Sequence, residues 1–251
     1  MRHEDGTPAR GAVVTLDPVD GEAFNRRETK TDAAGRFVMI GVTKGTRLRA
    51  AAGRLETEQA IPVNGEETGL ALVVMKVTPT TLKGRVTDAS GNGIAGTEVV
   101  LNHLVGNYGF GGDVAKTDAQ GNYAIPGLRL GESYRVASSA PRFGQAWADV
   151  KVARGEIEHA QPPLVLPVAN DVFAGTVVDA NDKPVAGVEV NVSGTKTQWQ
   201  KCVTDADGGF SFADIVEGEK IFVQLMKDRK FQGGGTFKAG DLGARVVWKK
   251  K

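Results

Sequence analysis

The residues of this chain that are able to carry out acid–base, nucleophilic or metal chemistry are few and scattered. The three histidines, His3, His103 and His159, are far apart, and none has a glutamate three residues on, as a His-x-x-Glu zinc site requires. The single cysteine, Cys202, excludes an intrachain disulfide and a cysteine-built metal site. It occupies the position that Ala115 holds earlier in the chain, so we expect a small buried side chain and not a nucleophile.

An aspartate and a glycine recur three times in the pattern Thr-Asp-x-x-Gly-x-aromatic. They are Asp32 and Gly35, Asp118 and Gly121, and Asp205 and Gly208. An aspartate in this pattern accepts hydrogen bonds from the backbone N–H two residues on, and the glycine supplies the positive φ that closes a turn. We therefore predict that these six residues form structural turns and take no part in catalysis. A calcium site is disfavoured, because Asp205, Asp207 and Asp214 are not spaced like a calcium loop.

The composition also argues against an enzyme. The 251 residues are 41% hydrophobic and 24% charged, which is enough for a core and too apolar for a disordered chain. Lysine and arginine total 31 against 30 acidic residues, so nothing favours nucleic acid or an anionic membrane as a partner. No apolar run approaches the roughly 20 residues that span a bilayer. We expect no cofactor, no metal and no membrane insertion.

Other sequence blocks recur in the same order as the aspartate pattern and indicate three copies of one domain. Before each aspartate comes a strand with alternating apolar residues, at 11–16, 96–101 and 187–192. After it come a further strand introduced by a glycine turn and a closing apolar strand. Short strands punctuated by glycine, without helical periodicity, predict antiparallel β-sandwiches. The predicted domains are residues 1–79, 80–168 and 169–251.

The first copy lacks the opening strand that the other two copies have at Leu82–Asp88 and Phe173–Asp179. The chain begins at the turn that follows this strand. Three explanations are open: the natural protein starts earlier, the chain is a fragment, or another chain donates the strand. An open sheet edge can pair with other chains and aggregate. We therefore favour a fragment of a longer polypeptide.

The order Gly-x-Val-x-Asp, Pro-x-x-Gly-x-x-Val and Thr-Asp-x-x-Gly-x-Phe resembles the carboxypeptidase regulatory-like domain. The third copy matches best, from Gly175 through Pro184 and Gly187 to Phe210. The resemblance implies three tandem transthyretin-like (prealbumin-like) antiparallel β-sandwiches, a fold also grouped as carbohydrate-binding-like. It implies a non-catalytic module of secreted, periplasmic or cell-surface bacterial proteins, and it supplies no general set of functional residues.

Related adhesin repeats also carry a Lys–Asn isopeptide bond between the first and last strands. Lys83 and Asn170 lie near those positions in the second copy. The third copy has no lysine in 173–179, and Lys83 faces solvent if Leu82 faces the core. We therefore do not expect this bond.

Four aromatic residues are the best candidates for ligand binding. They are Phe24, Tyr108, Phe110 and Trp199, and we place them in the loop before the Thr-Asp turn of each copy. Exposed aromatics stack on sugars or anchor a protein partner, whereas the alternative is that they cap the end of the sandwich. The main hypothesis is a structural or interaction rod of three domains. The alternatives are a carbohydrate-binding module and an accessory region of a peptidase or an outer-membrane receptor.

Overall fold

A computed structural model describes residues 1–17, 27–63, 69–105, 108–227 and 230–249. Every helix-or-strand element within these ranges is a β-strand, and most strand pairs are antiparallel, which confirms the predicted all-β class. Within the same ranges no helix is long and apolar enough to cross a membrane. The strands fall into three consecutive groups, which we call the first, second and third units.

The first unit contains the strands up to residue 74. They are β1 (Arg2–His3), β2 (Val13–Asp17), β3 (Arg27–Lys30), β4 (Arg47–Ala52), β5 (Leu55–Glu56), β6 (Ile61–Pro62) and β7 (Val73–Val74). One sheet has the order β3-β2-β4-β5, with β6 also paired to β4, and the other contains β1 parallel to β7. The opening strand of this unit is thus present only as the two residues of β1.

The second unit has two larger sheets. Its strands are β8 (Thr80–Thr87), β9 (Glu98–Val105), β10 (Tyr108–Lys116), β11 (Asn122–Leu128), β12 (Ser133–Ser139), β13 (Gln145–Lys151), β14 (Glu158–Ala160) and β15 (Leu164–Val165). One sheet has the order β10-β9-β12-β13. The other has the order β11-β8-β14, with β15 also paired to β8.

The third unit repeats this arrangement. Its strands are β16 (Ala169–Val178), β17 (Glu189–Ser193), β18 (Gln200–Val203), β19 (Gly209–Val216), β20 (Lys220–Lys227), β21 (Lys230–Lys238) and β22 (Ala244–Val247). The sheets have the orders β18-β17-β20-β21 and β19-β16-β22. In both complete units the opening strand lies between an antiparallel neighbour and the parallel closing strand.

Each unit has its own group of buried apolar side chains, because alternate residues of its strands point to the inside. Along β12, for example, Tyr134 and Val136 are buried while their neighbours are half-buried. The three groups lie within residues 9–74, 82–166 and 173–248. The largest side chain among the fully buried residues is Phe173 of β16, whose ring centroid is 5.5 Å from that of Phe210.

Candidate functional site

The repeated aspartates all close turns with the same hydrogen bonds. The Asp118 carboxylate accepts the backbone N–H of Gln120 at 2.9 Å and of Asn122 at 2.8 Å. Its backbone carbonyl accepts the N–H of Gly121, whose φ is 81°. The carboxylates of Asp32 and Asp205 likewise accept from the residues two and four positions on, at 2.7–2.9 Å.

The same turn also occurs where no role was predicted. Asp88 and Asp179 follow the opening strands of the second and third units, and each carboxylate accepts backbone N–H groups two and four residues on, at 2.8–2.9 Å. Both residues belong to the recurring Gly-x-Val-x-Asp block, which was the available signal. Among the described residues, no three histidine, cysteine or acidic side chains lie close enough together to hold a metal ion.

These hydrogen bonds favour the ionised carboxylate. The side chain and backbone of Asn122 lower the pKa of Asp118, and the backbone N–H of Arg36 lowers the pKa of Asp32. A lowered folded-state pKa stabilises the fold fully at pH values above the unfolded aspartate pKa of about 3.9. The contribution is lost as the pH falls from there through the folded-state pKa.

We predict that Asp118→Asn weakens the acid sensitivity of the second unit. The amide oxygen still accepts hydrogen bonds but does not titrate, so less stability is lost than in the wild type as the pH falls from about 5 through the folded-state pKa of Asp118. Hydrogen exchange of β8 and β11 across this range measures the effect. The control is Asp207→Asn in the third unit, followed by hydrogen exchange of β16 and β19, because its backbone N–H and not its carboxylate takes part in a turn. Superimposable pH curves for the wild type and Asp118→Asn would contradict the prediction.

The threonine before each aspartate joins two parts of its unit through a buried hydroxyl. The Thr117 hydroxyl donates to the carbonyl of Ile94 at 2.7 Å and accepts the N–H of Thr97 at 2.9 Å. Thr204 bridges the carbonyl of Val185 and the N–H of Val188 in the same way. Thr31 makes the equivalent pair of bonds in the first unit. No role was predicted for this threonine, although its recurrence in all three copies was visible.

The four aromatic candidates do not share one setting. Trp199 lies in the loop before β18 and is 61% exposed, with the Lys201 ammonium 5.9 Å from its ring centroid. Tyr108 and Phe110 belong to β10, paired with β9, and not to the predicted loop. Phe24 lies outside the described residues. The structure therefore does not show these four residues gathered into a common site.

The remaining candidate side chains have local partners. Cys202 is half-buried on β18 against the core of the third unit, and burial raises the pKa of its thiol. The Lys83 ammonium is half-exposed and pairs with Glu158, as expected for a side chain that faces solvent. The Nδ1 of His159 lies 2.8 Å from a carboxylate oxygen of Glu156.

Charged side chains connect the first unit to the second. Arg129 pairs with Glu56 at 2.9 Å, and the Nη2 and Nε atoms of Arg154 donate to the carboxylate of Glu58, at 2.6 and 3.1 Å. Glu132, which is only 3% exposed, contacts Arg49 across the same junction. Glu132 also contacts His103 of its own unit, so this histidine lies beside the same buried carboxylate.

The junction between the second and third units contains uncharged hydrogen bonds to backbone carbonyls. The N–H of Gln145 donates to the carbonyl of Lys196 at 2.6 Å. The side-chain amide of Gln198 donates to the carbonyl of Phe143 at 3.0 Å. A Cβ added to Gly144 would lie 2.5 Å from the Lys196 carbonyl oxygen, so the backbones approach too closely for a larger residue. This junction needs a glycine.

Comparison with known proteins finds solved structures of low sequence identity to this chain. A search of curated proteins gives no match to this chain. A streptococcal ancillary pilin is 11% identical over 96% of this chain and 92% of its own, with a TM-score of 0.38. The Bacillus anthracis TIE protein is 15% identical over 100% of this chain and 49% of its own, with a TM-score of 0.33. A DUF3823 family protein from Parabacteroides merdae is 13% identical over 68% of this chain and 98% of its own, with a TM-score of 0.29.

A family model matches the middle of the chain. The match runs from residue 81 in β8 to residue 164 in β15, and the first and third units lie outside it. The matched range contains the Asp118 turn and the Thr117 bridge. In sequence, the second unit is therefore similar to the carboxypeptidase regulatory-like domain.

Proposed function

We propose that this chain is a non-catalytic structural and interaction module, a stiff rod of three tandem β-sandwich domains at residues 1–79, 80–168 and 169–251. The repeated Thr-Asp turn supports three copies, because the same hydrogen bonds recur in every unit. In the part of the chain that the structure describes, the residues that recur shape turns and cores. The resemblance to the carboxypeptidase regulatory-like domain favours a secreted, periplasmic or cell-surface location.

The observation that carries the proposal is the direct contact at both junctions. The connections are also short, since β15 ends at Val165 and β16 begins at Ala169. A short connection flanked by specific hydrogen bonds restricts the bending of one domain against the next. A module of this kind holds whatever it carries or binds at a defined spacing.

We expect the two junctions to respond differently to salt. At about 1 M salt the Debye length falls to about 3 Å, which screens exposed ion pairs but changes backbone hydrogen bonds little. Fluorescent labels on neighbouring units, read as single-molecule distance distributions, should broaden for the first junction and stay narrow for the second. Small-angle scattering at low salt should show an elongated particle. A compact particle, or broad distributions at both junctions at low salt, would overturn the rod.

Removing charged side chains tests the junction between the first and second units without a change in salt concentration. The double variant Glu56→Gln and Glu58→Gln removes the carboxylates that face Arg129 and Arg154, and it should broaden only the first distribution. Glu158→Gln is the matched control, because its partner Lys83 belongs to the same unit. Equal broadening by the control would show that the junction pairs are not responsible.

Carbohydrate binding is a second candidate, favoured by the exposure of Trp199. The test is a glycan array with the wild type and Trp199→Ala. Trp147→Ala is the matched control, because Trp147 is 49% exposed but Arg135 lies 4.1 Å from its ring centroid and covers one face. Binding that is lost only with Trp199→Ala supports this candidate, and no retained glycan ends it.

A further inference from the structure

Trp199 follows a loop that is fixed by hydrogen bonds to both the second and the third unit. The carboxylate of Glu219 accepts the backbone N–H of Lys196 at 2.5 Å and of Thr197 at 2.7 Å. The hydroxyl of Thr197, which is fully buried, accepts a backbone N–H at the end of β19 at 3.0 Å. The side-chain amide of Gln198 donates to two backbone carbonyls of the second unit. The exposed ring of Trp199 is therefore attached to a fixed backbone, which reduces the entropy lost when it binds a ligand.

Trp199 lies on the outer face of the sheet β18-β17-β20-β21. On β18, Cys202 packs against the core of the third unit, so the side chain of Lys201 points outward. The Lys201 ammonium lies 5.9 Å from the ring centroid of Trp199 and 3.5 Å from the carboxylate of Glu189 on β17. These contacts place the tryptophan, the lysine and the glutamate on the same face.

A second exposed aromatic ring lies in the same row across the strands. Its neighbours on β20 are buried in the core, so Phe222 points outward and is 49% exposed. Phe222 is opposite Ser193 on β17. On the other side of β17, the last strand pair joins Val192 to Gln200. The next position along β17 is Ser193, so Trp199 lies beside it. Two strand spacings, about 10 Å, thus separate the two aromatic residues, with one small side chain between them.

Two lysines that are opposite each other lie on the same face, next to the aromatic row. Lys220 on β20 is opposite Lys238 on β21. They come two residues before Phe222 and two residues after Thr236, which are also opposite each other. Like charges in this position destabilise a sheet. Neither ammonium has an ion-pair partner among the described residues. An anion between the two lysines would relieve their repulsion.

Aromatic rings beside an unpaired cationic pair favour one class of ligand. Sugars stack their C–H faces on exposed aromatic side chains, and their hydroxyl groups bond to amides such as that of Gln224, which is exposed beside Phe222. Two sugars of an extended glycan, with a third between them, span the distance from Trp199 to Phe222. A carboxylate on the sugar over Phe222 then faces the two lysines. The face therefore fits a glycan that contains uronic acids better than an uncharged glycan.

Other occupants fit this face less well. Single-stranded nucleic acid binds along a continuous basic groove, whereas Lys201 is paired with Glu189 and the whole chain has a net charge of +1. An interface between two copies of this face would bury Lys220 and Lys238 without a counter-charge, because the carboxylate of Glu189 is already paired.

We propose that the outer face of this sheet binds an acidic glycan, with sugar rings stacked on Trp199 and Phe222 and a uronic acid carboxylate between Lys220 and Lys238. The proposal rests on the carbohydrate candidate above, to which it adds the charge of the ligand and a second ring. It does not depend on the stiffness of the rod.

The first test compares two ligands that differ only in charge. Calorimetry with the 251-residue chain uses hexagalacturonate and its fully methyl-esterified form. At low salt the acid should bind at one site per chain, about tenfold more tightly than the ester, and about 1 M salt should remove this difference. Digalacturonate reaches only one ring, so it should bind about tenfold more weakly than trigalacturonate.

The second test removes the rings one at a time. Trp199→Ala and Phe222→Ala should each weaken binding of hexagalacturonate about tenfold. Both side chains are exposed, so the variants should fold as the wild type does. The matched control is Phe231→Ala, because Phe231 is 62% exposed on β21 but lies opposite Met226, outside the aromatic row. This control should bind within about twofold of the wild type.

The third test removes the lysine pair. Lys220→Gln combined with Lys238→Gln should lower the affinity for the acid to that for the ester and leave the affinity for the ester unchanged. The matched control is Lys227→Gln combined with Lys230→Gln, since these lysines are opposite each other on the same two strands but at the far end from the aromatic row. The control should retain the preference for the acid within about twofold.

The outcomes separate this proposal from the carbohydrate candidate. Equal affinities for acid and ester, or full binding by Phe222→Ala when Trp199→Ala does not bind, would overturn the acidic two-ring site and leave the candidate standing. Failure of every glycan to bind would overturn both. Tighter binding of oligothymidylate, or self-association that Phe222→Ala abolishes, would show that the face has another occupant and would also overturn the proposal.

Discussion

Phe173→Ala is expected to destabilise the third unit by about 3–5 kcal/mol, the usual cost of removing a buried phenylalanine side chain. Phe173 is fully buried on β16, and its ring centroid lies 5.5 Å from that of Phe210 and 5.6 Å from that of Phe237. Its strand pairs with β19 on one side and with β22 on the other. The cavity would thus open where both neighbours of the opening strand meet the core.

Urea unfolding followed by tryptophan fluorescence measures this effect, because Trp248 is 8% exposed and packs in the same core. Hydrogen exchange of β16 and β19 assigns the transition to the third unit, since three units need not unfold together. The matched control is Phe222→Ala, whose side chain is 49% exposed on β20. We expect the control to change stability by no more than about 0.5–1 kcal/mol. Equal losses for the two variants would contradict the assignment of Phe173 to the core.

Gly121→Ala is expected to destabilise the second unit by about 2–5 kcal/mol, as the sum of two effects. The φ of Gly121 is 81°, in the left-handed region, which costs an L-residue roughly 1–2 kcal/mol. An added Cβ would also lie 2.4 Å from the Val86 carbonyl oxygen and 2.8 Å from the Gly93 Cα. Overpacking against backbone of this kind adds about 1–3 kcal/mol.

Gly96→Ala separates the two effects. Gly96 has a φ of 68° in the same unit, and a Cβ there would meet nothing within 4 Å, so only the conformational cost of about 1–2 kcal/mol remains. Thermal unfolding and hydrogen exchange of β8 and β11 give the two losses. If Gly96→Ala destabilises as much as Gly121→Ala, the close approach of the turn to β8 contributes nothing.

Local signals explain the parts of the fold that could be predicted. The Thr-Asp turns depend on an aspartate, a glycine and hydrogen bonds between residues two to four positions apart. The local sequence pattern is therefore enough to predict them. The strands that follow them alternate clearly, as Tyr123 and Ile125 show, and both side chains are buried. Burial raises the pKa of Tyr123 to about 12.

Glycine-rich strands were harder to predict. β21 contains three consecutive glycines, Gly233–Gly235, which are depleted in strands, yet its backbone pairs with β20 along its length. The part of β10 that contains Tyr108 and Phe110 was predicted as a loop, although it pairs with β9. In both cases the neighbouring strand and not the local sequence determines the conformation.

Some of the proposed features can be predicted from the sequence and others cannot. The recurrence of the Thr-Asp turn was visible in the sequence, and its hydrogen bonds follow from the residue types. The contacts between Arg154 and Glu58 were not predictable, because no periodicity relates surface charges on separate units. The position of Trp199 in a loop agrees with its placement by sequence, and its ligand stays a prediction.

The parallel pairing of first and last strands has a mechanical consequence. In the third unit β16 enters beside β22 and both run in the same direction, with Gly175 opposite Ala244 and Val178 opposite Val247. Tension applied to the two ends of the unit therefore pulls these strands past each other along their length. All the hydrogen bonds between them bear the load together instead of opening one by one. A chain of such units would resist stretching along its axis more strongly than units whose terminal strands open one hydrogen bond at a time.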